Sequence, residues 1–288
     1  MATRLLTYAE AAALWGQQDK IVAGITYPML EKGISKQPDV ERTTFERNLV
    51  RLAAGIPLVD VPDGIRHLTY YDDFFEYDAT ATVGNWVLAI DTGSTAALAD
   101  AAGGWLTLAT DGGENDGTVV ASTFEIFDVV SAKPLYFEAY VKPTEGATNI
   151  NSWFVGLSDV VTVELIVDAG ATMAASIDAI GFFKIRGGLT YDFTVCNGAT
   201  QTSTVTVGTM VSGTAVRLGF KVEPYMTLAG AYSATKARIT PYVNGVAGTA
   251  LDALMASFDA MQIVFAQKTG GSSGDVLAVD YVQVAQKR

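Results

Sequence analysis

The stretch Leu68-Thr69-Tyr70-Tyr71-Asp72-Asp73-Phe74-Phe75-Glu76-Tyr77-Asp78 sets four acidic groups among five aromatic rings. Such a run could be the acidic centre of an enzyme, a cation site, or the first strand of a sheet. In extended chain, adjacent side chains point to opposite faces, so Asp72 and Asp73 cannot converge on one reacting group. The residues on either side decide between the remaining readings.

Downstream, the hydrophobic pattern has a period of two. In Tyr136-Phe137-Glu138-Ala139-Tyr140-Val141-Lys142, the apolar Phe137, Ala139 and Val141 share one face and Tyr136, Glu138, Tyr140 and Lys142 the other. Similar runs cover 85–91, 104–110, 118–125, 153–157, 179–186, 189–196, 200–209, 215–222, 237–243, 261–267 and 276–284. Clusters such as DGGENDG (111–117), RGG (186–188), CNGA (196–199) and VNGVAG (243–248) separate them as turns. The spacing predicts two packed antiparallel sheets, a β-sandwich over residues 68–288. Pro241 inside its run marks an edge or a bulge, since proline cannot donate to a ladder. The segment Asp252–Met261 reads as a short helical turn.

Upstream the pattern differs. Residues 1–67 read as an arm with two short helices, one from Thr7 to Gly16 with a capping box at Thr7 and Glu10, the other from Asp39 to Gly55 with Phe45, Leu49 and Leu52 on one face. Isolated helices below about 12 to 15 residues are marginal in water, so the arm needs a surface to pack on, its own domain or another subunit.

Charge divides along the same line. Residues 1–68 carry eight Lys/Arg against eight Asp/Glu, which leaves eleven against twenty-three for the remainder and assigns the whole net charge of -12 to it. An acidic body repels phosphate backbones and anionic lipid, which disfavours nucleic acid and membrane as partners. No apolar run approaches the ~20 residues that span a bilayer, and no secretory leader is legible at the start, so a soluble protein made in a cytoplasm is expected. The one cysteine, Cys196, excludes an intrachain disulfide and reads as a buried thiol.

Catalytic constellations are sparse. His67 is the single histidine, GLSDV (156–160) lacks a nucleophile elbow, and one Cys with one His cannot build a zinc site. Glu125 and Asp128, three apart, would face opposite sides of a strand. The loop Asp111, Glu114, Asn115, Asp116 offers oxygen ligands for calcium, but its composition is equally that of a turn. No enzyme activity, cofactor or metal is expected. Trp86, Trp105, Trp153 and several tyrosines could stack on a sugar, although large aromatics in a sandwich are more often core.

Taken in order, YYDDFFEYD with NWVL, GGWLTLATD, KPLYFEAYVKP, FVGLSD, PYVNG and the terminal LAVDYVQV resemble the concanavalin-like (laminin-G-like) jelly-roll domains of bacteriophage structural proteins, over roughly residues 70–286. The resemblance implies an antiparallel jelly roll preceded by a partly helical arm, with Asp72 and Asp73 opening the fold and Asp280 acting near the last strand. It further implies a non-enzymatic virion protein, a head decoration or cement protein on the capsid surface. Its arm would dock on the major capsid protein or on sister copies, with a trimer as the expected oligomer, through Leu14, Trp15, Ile21, Tyr27, Met29, Phe45, Leu49 and Leu52. A carbohydrate-binding or adhesin module on a phage head or tail, taking a surface glycan, is the alternative.

Overall fold

In the computed structural model the chain is described from residue 67 to 287, apart from residues 75, 78–83, 100–103, 130–132, 148–149, 169–171, 199, 227–231, 255–257 and 272–274. Two antiparallel sheets make up almost all of it. The first contains β1 (His67–Asp72), β3 (Thr95–Ala99), β4 (Trp105–Ala109), β6 (Leu135–Thr144), β11 (Val216–Met226), β12 (Tyr232–Val243), β13 (Val246–Ala247), β14 (Leu251–Leu254) and β16 (Val276–Lys287). The second contains β2 (Trp86–Ile90), β5 (Gly117–Ser122), β7 (Asn151–Ser158), β8 (Ala179–Lys184), β9 (Thr190–Asn197), β10 (Thr200–Thr209) and β15 (Gln262–Thr269). Their orders are β13-β12-β11-β6-β16-β4-β3 and β10-β9-β8-β7-β15-β5-β2. No helix among the described residues is long and apolar enough to cross a membrane.

Period-two alternation decides which faces meet. Leu106 and Leu108 of β4 and Phe137, Ala139 and Val141 of β6 turn into the main core, where they meet Trp153, Val155 and Leu157 of β7 and Ile263 and Phe265 of β15. On β16 the parity changes: Leu277 and Val279 face inward, and then Val282 and Val284 do. The extra residue is Asp280, at a register shift between Val279↔Val141 and Tyr281↔Tyr140. A bulge inserts one unpaired residue and flips every later side chain. It also marks a handover, because β4 pairs with Val276–Val279 and β1 with Val282–Lys287.

The second sheet is covered on both faces. The excursion between β7 and β8 places Leu165, Ile166, Met173 and Ile177 against Val119, Ala121, Phe154, Phe183, Cys196 and Val264 on the outer side, a second apolar cluster. This explains why β5, β7 and β15 are buried along their whole lengths. Fully burying a side chain of this kind stabilises by about 1.5 to 3 kcal/mol, so the cover strap is a substantial part of the fold.

Several local readings differ from the structure. TAALA (95–99) is composed largely of alanine and carries no strand pattern, yet it is held as β3 by Trp105–Ala109. Asp252–Leu254, read as the start of a helical turn, belong instead to β14, which pairs with Lys236–Ile239 of β12, so the demand of an open strand edge outweighs local propensity. Pro241 lies opposite Phe220 of β11; on its other side it falls between the stretches of β12 paired by β14 and by β13, where no donor is required.

Candidate functional site

The outer face of the first sheet carries the residues that alternation turns away from the core. Trp105 from β4, Tyr140 from β6, Tyr281 from β16 and Tyr71 from β1 form a continuous aromatic ribbon. Ring centroids are 5.9 Å apart for Trp105–Tyr140, 6.0 Å for Tyr140–Tyr281 and 6.4 Å for Tyr71–Tyr281. The planes of Tyr140 and Tyr281 lie within 16° and those of Tyr71 and Tyr281 within 28°. Trp105, Tyr140 and Tyr281 are half-buried and Tyr71 is 49% exposed. At the Trp105 end, the Lys142 ammonium sits 4.8 Å from the indole centroid, within cation–π range.

Beneath the ribbon lies a buried carboxylate. Tyr281 and Tyr136 donate their hydroxyls to Oε1 and Oε2 of Glu138, each at 2.7 Å, and Glu138 is fully buried. Burial raises the Glu138 pKa above the ordinary carboxylate value, against the two tyrosine hydrogen bonds and the charge of Arg217. The tyrosine hydroxyls are held protonated, chiefly by burial and then by the Glu138 charge. Tyr281 is thereby fixed in orientation from below while its ring stacks between Tyr71 and Tyr140. A ring locked by its own hydroxyl loses little further freedom when a ligand packs on it.

The two ends of the ribbon differ in charge. Asp73 follows directly on the Asp72↔Val282 pair, which carries it toward Tyr281, and it is exposed. Asp280, at the bulge, is partly buried, and its pKa is raised by burial and by Asp73. The Tyr71 hydroxyl is likewise pushed up by burial, then by Asp73, Asp280 and Asp72.

Asp72 serves the fold. Its Oδ1 accepts from the Phe74 amide at 2.8 Å, and its Oδ2 accepts from the Trp86 indole at 3.0 Å and the Tyr70 hydroxyl at 3.2 Å. The amide bond closes an Asx turn that supports Phe74 at φ 52, and the buried Phe74 ring packs 5.1 Å from Trp86 and 6.0 Å from Phe265. The three nominated aspartates thus divide between a turn hub, Asp72, and the acidic end of the ribbon, Asp73 and Asp280. The nominated arm residues, Leu14, Trp15, Ile21, Tyr27, Met29, Phe45, Leu49 and Leu52, lie outside the described residues.

Other candidates are placed as follows. Trp86 and Trp153 are core and cannot stack on a ligand. A cavity of about 290 Å³ is lined by Trp153 and Tyr191 of the second sheet and Pro143 and Val243 of the first, among others. Trp153 and Tyr191 are only 0% and 3% exposed, so their ring faces are already packed against protein. In the 111–117 loop, Asp111 accepts from the Gly113 amide and shares a side-chain hydrogen bond with Asp116, with Asn115 at φ 69, the bonding of a turn. Glu125 and Asp128 lie beyond β5, and Asp128 pairs with Lys133 at 2.6 Å. Cys196 is buried and its thiol is pushed up to about 12 by burial.

One acidic trio was not legible in the sequence. Oxygens of Asp159 and Asp178, at the two ends of the β7–β8 connection, and of Asp259, in the β14–β15 connection, lie within 4.8 Å of one another, close enough to hold a hard cation. The same groups hold the loops together: Asp178 accepts from the amides of Gly198 and Asp259, each at 2.8 Å, and Asp159 accepts from the Asp178 amide at 2.9 Å.

No family model and no curated protein sequence matches the chain. Solved structures do resemble it in fold. A protein of unknown function from Shewanella oneidensis MR-1 superposes with a TM-score of 0.53 at 13% identity, covering 84% of this chain and 93% of that one. Peanut lectin with a nine-residue peptide gives 0.52 at 10% identity over 77% and 97% of the two chains. The Emp47p carbohydrate recognition domain gives 0.50 at 9% identity over 77% and 98%. Residues 67–287 therefore have the fold of a concanavalin-like, legume-lectin-like β-sandwich.

Proposed function

We propose that this protein is a non-enzymatic carbohydrate-binding sandwich, and that the ribbon Trp105–Tyr140–Tyr281–Tyr71 is its contact surface. The observation that carries the reading is four neighbouring rings on an outer sheet face, one of them locked from below by Glu138. The C–H face of a pyranose packs on such rings as other apolar surface does, at about 25 cal/mol per Å² removed from water. Lys142 beside Trp105 supplies a donor for sugar hydroxyls. Two of the folds that resemble this one belong to a lectin and a carbohydrate recognition domain by name, which agrees with the reading. The non-enzymatic part is supported by two of the four carboxylates at the ribbon, since Glu138 gives both oxygens to tyrosines and Asp72 serves a turn, which leaves Asp73 and Asp280 at the Tyr71 end.

Glycan microarray screening followed by calorimetry on the strongest ligand tests the proposal, with Trp105→Ala and Tyr140→Ala as the variants. Both should retain the strand-rich circular dichroism of the parent and lose at least about tenfold in affinity, the equivalent of 1.4 kcal/mol. Binding undiminished in both variants, or no binding to any glycan class, would overturn it.

As to where the sandwich is displayed, we infer a virion surface, with residues 1–66 docking on the major capsid protein or on sister copies. This rests on the ordered resemblance to phage jelly-roll domains and on the charge partition, which makes the arm neutral and the body acidic. Removing the arm tests it.

A further inference from the structure

We infer, on the basis of the carbohydrate reading above, that the Tyr71 end of the ribbon selects a protonated amine, so that the preferred ligand is a glycan of amino sugars carrying free ammonium groups. Three placements converge on this. Tyr71 is the most exposed ring of the ribbon at 49% and so offers the most open aromatic surface. Asp73 stands directly after the last register pair of β1, exposed and next to Tyr281 in sequence order across the ladder. Asp280 occupies the bulge where β16 passes from β4 to β1, one residue before Tyr281, and its charge acts on the hydroxyls of both Tyr71 and Tyr281.

An aromatic face flanked by two carboxylates attracts a cation twice over, through the ring quadrupole and through direct charge. An acidic sugar meets the same carboxylates as repulsion, and a neutral sugar gains only from stacking. The Lys142 ammonium, at the opposite end over Trp105, orients such a chain: hydroxyls at the Trp105 end, the amine at the Tyr71 end. Both carboxylates reach solvent, so the preference is moderate and salt-sensitive.

The experiment uses the full chain and three soluble probes of equal length: a chitosan oligomer with its amines protonated, the matching N-acetylated chitin oligomer, and an oligogalacturonate. The chitosan oligomer should bind about five- to tenfold tighter than the chitin oligomer at low salt, the preference should shrink at high salt, and the oligogalacturonate should be weakest. The double variant Asp73→Asn/Asp280→Asn should lose the preference and keep its affinity for the chitin oligomer. Asp73→Asn alone, exposed and outside the strand, should lose part of it and serves should the bulge variant fail to fold. Equal binding of the two oligomers, a preference that survives Asp73→Asn unchanged, or binding of other sugars but neither of these would overturn the cationic selection while leaving the carbohydrate reading intact. An oligolysine that binds as tightly as the chitosan oligomer would reassign the surface to a basic peptide. Absence of binding by every glycan would remove both proposals together.

Discussion

Glu138 is an acid placed where a sheet face would ordinarily carry a solvated side chain. It belongs to the outward set of β6, yet it is fully buried beneath Tyr281 and Tyr136. Its folded-state pKa is raised from the ordinary 4.5, with burial the largest cause. Below that value the folded and unfolded chains both hold the proton. As the pH rises the unfolded chain releases it first, and the stability linked to protonation is lost through the raised folded value. Glu138→Gln removes this titration without removing the acceptor for a tyrosine hydroxyl. Urea unfolding at a series of pH values should therefore show the parent losing stability relative to Glu138→Gln as pH climbs from about 4.5. A difference that stays flat across that window would mean that the tyrosine hydrogen bonds offset the effect of burial on Glu138 and that its pKa is not raised. Asp72 illustrates the opposite use of an acid, since three donors converge on a partly exposed carboxylate to fix a turn.

At the scale of elements, β7 and β8 meet at a pair of glycines. Gly156 and Gly181 are register partners, and a Cβ at Gly156 would stand 2.2 Å from the Ile180 carbonyl oxygen. At Gly181 it would stand 2.4 Å from the Val155 oxygen and 2.9 Å from the Phe154 ring. These are backbone contacts in the middle of a sheet buried on both faces, so neither strand can yield cheaply. Gly181→Ala should cost about 2 to 3 kcal/mol, or about 5 to 10 °C in Tm for a domain of this size. Gly188→Ala, in the β8–β9 turn where the nearest atom is 3.9 Å away, should be close to neutral. Calorimetric unfolding of the two variants side by side checks the contrast; equal Tm values would refute the close approach. The glycines within FVGLSD and AIGFFK are visible in the sequence, but nothing local to either run says that they face each other.

At the scale of the whole molecule, β1 begins at His67, one residue before the boundary drawn from the sequence, and its six residues close the first sheet against the end of β16. A chain lacking residues 1–66 keeps that strand. It should unfold cooperatively, retain glycan binding, and fail to join phage particles in a co-sedimentation assay. Truncated protein found on particles at full occupancy would overturn the docking arm, and a truncated chain that does not fold would overturn the independence of the sandwich.

The sandwich itself was legible because alternation is a local property: Phe137, Ala139 and Val141 had to share a face whatever their partners, and glycine-rich turns bounded each run. The bulge at Asp280 went unread, although Leu277 and Val279 differ in parity from Val282 and Val284. Other features depend on residues far apart in the chain. Alternation turned Tyr140 outward, but only strand order brings Trp105, Tyr281 and Tyr71 beside it as one surface. Burial chose Trp105 over Trp86 and Trp153 as the accessible indole, although the three look alike in sequence. Periodicity fixes which side of a strand a residue takes, because that needs only backbone geometry; its neighbours across the sheet follow from a register set by the packing of the entire core.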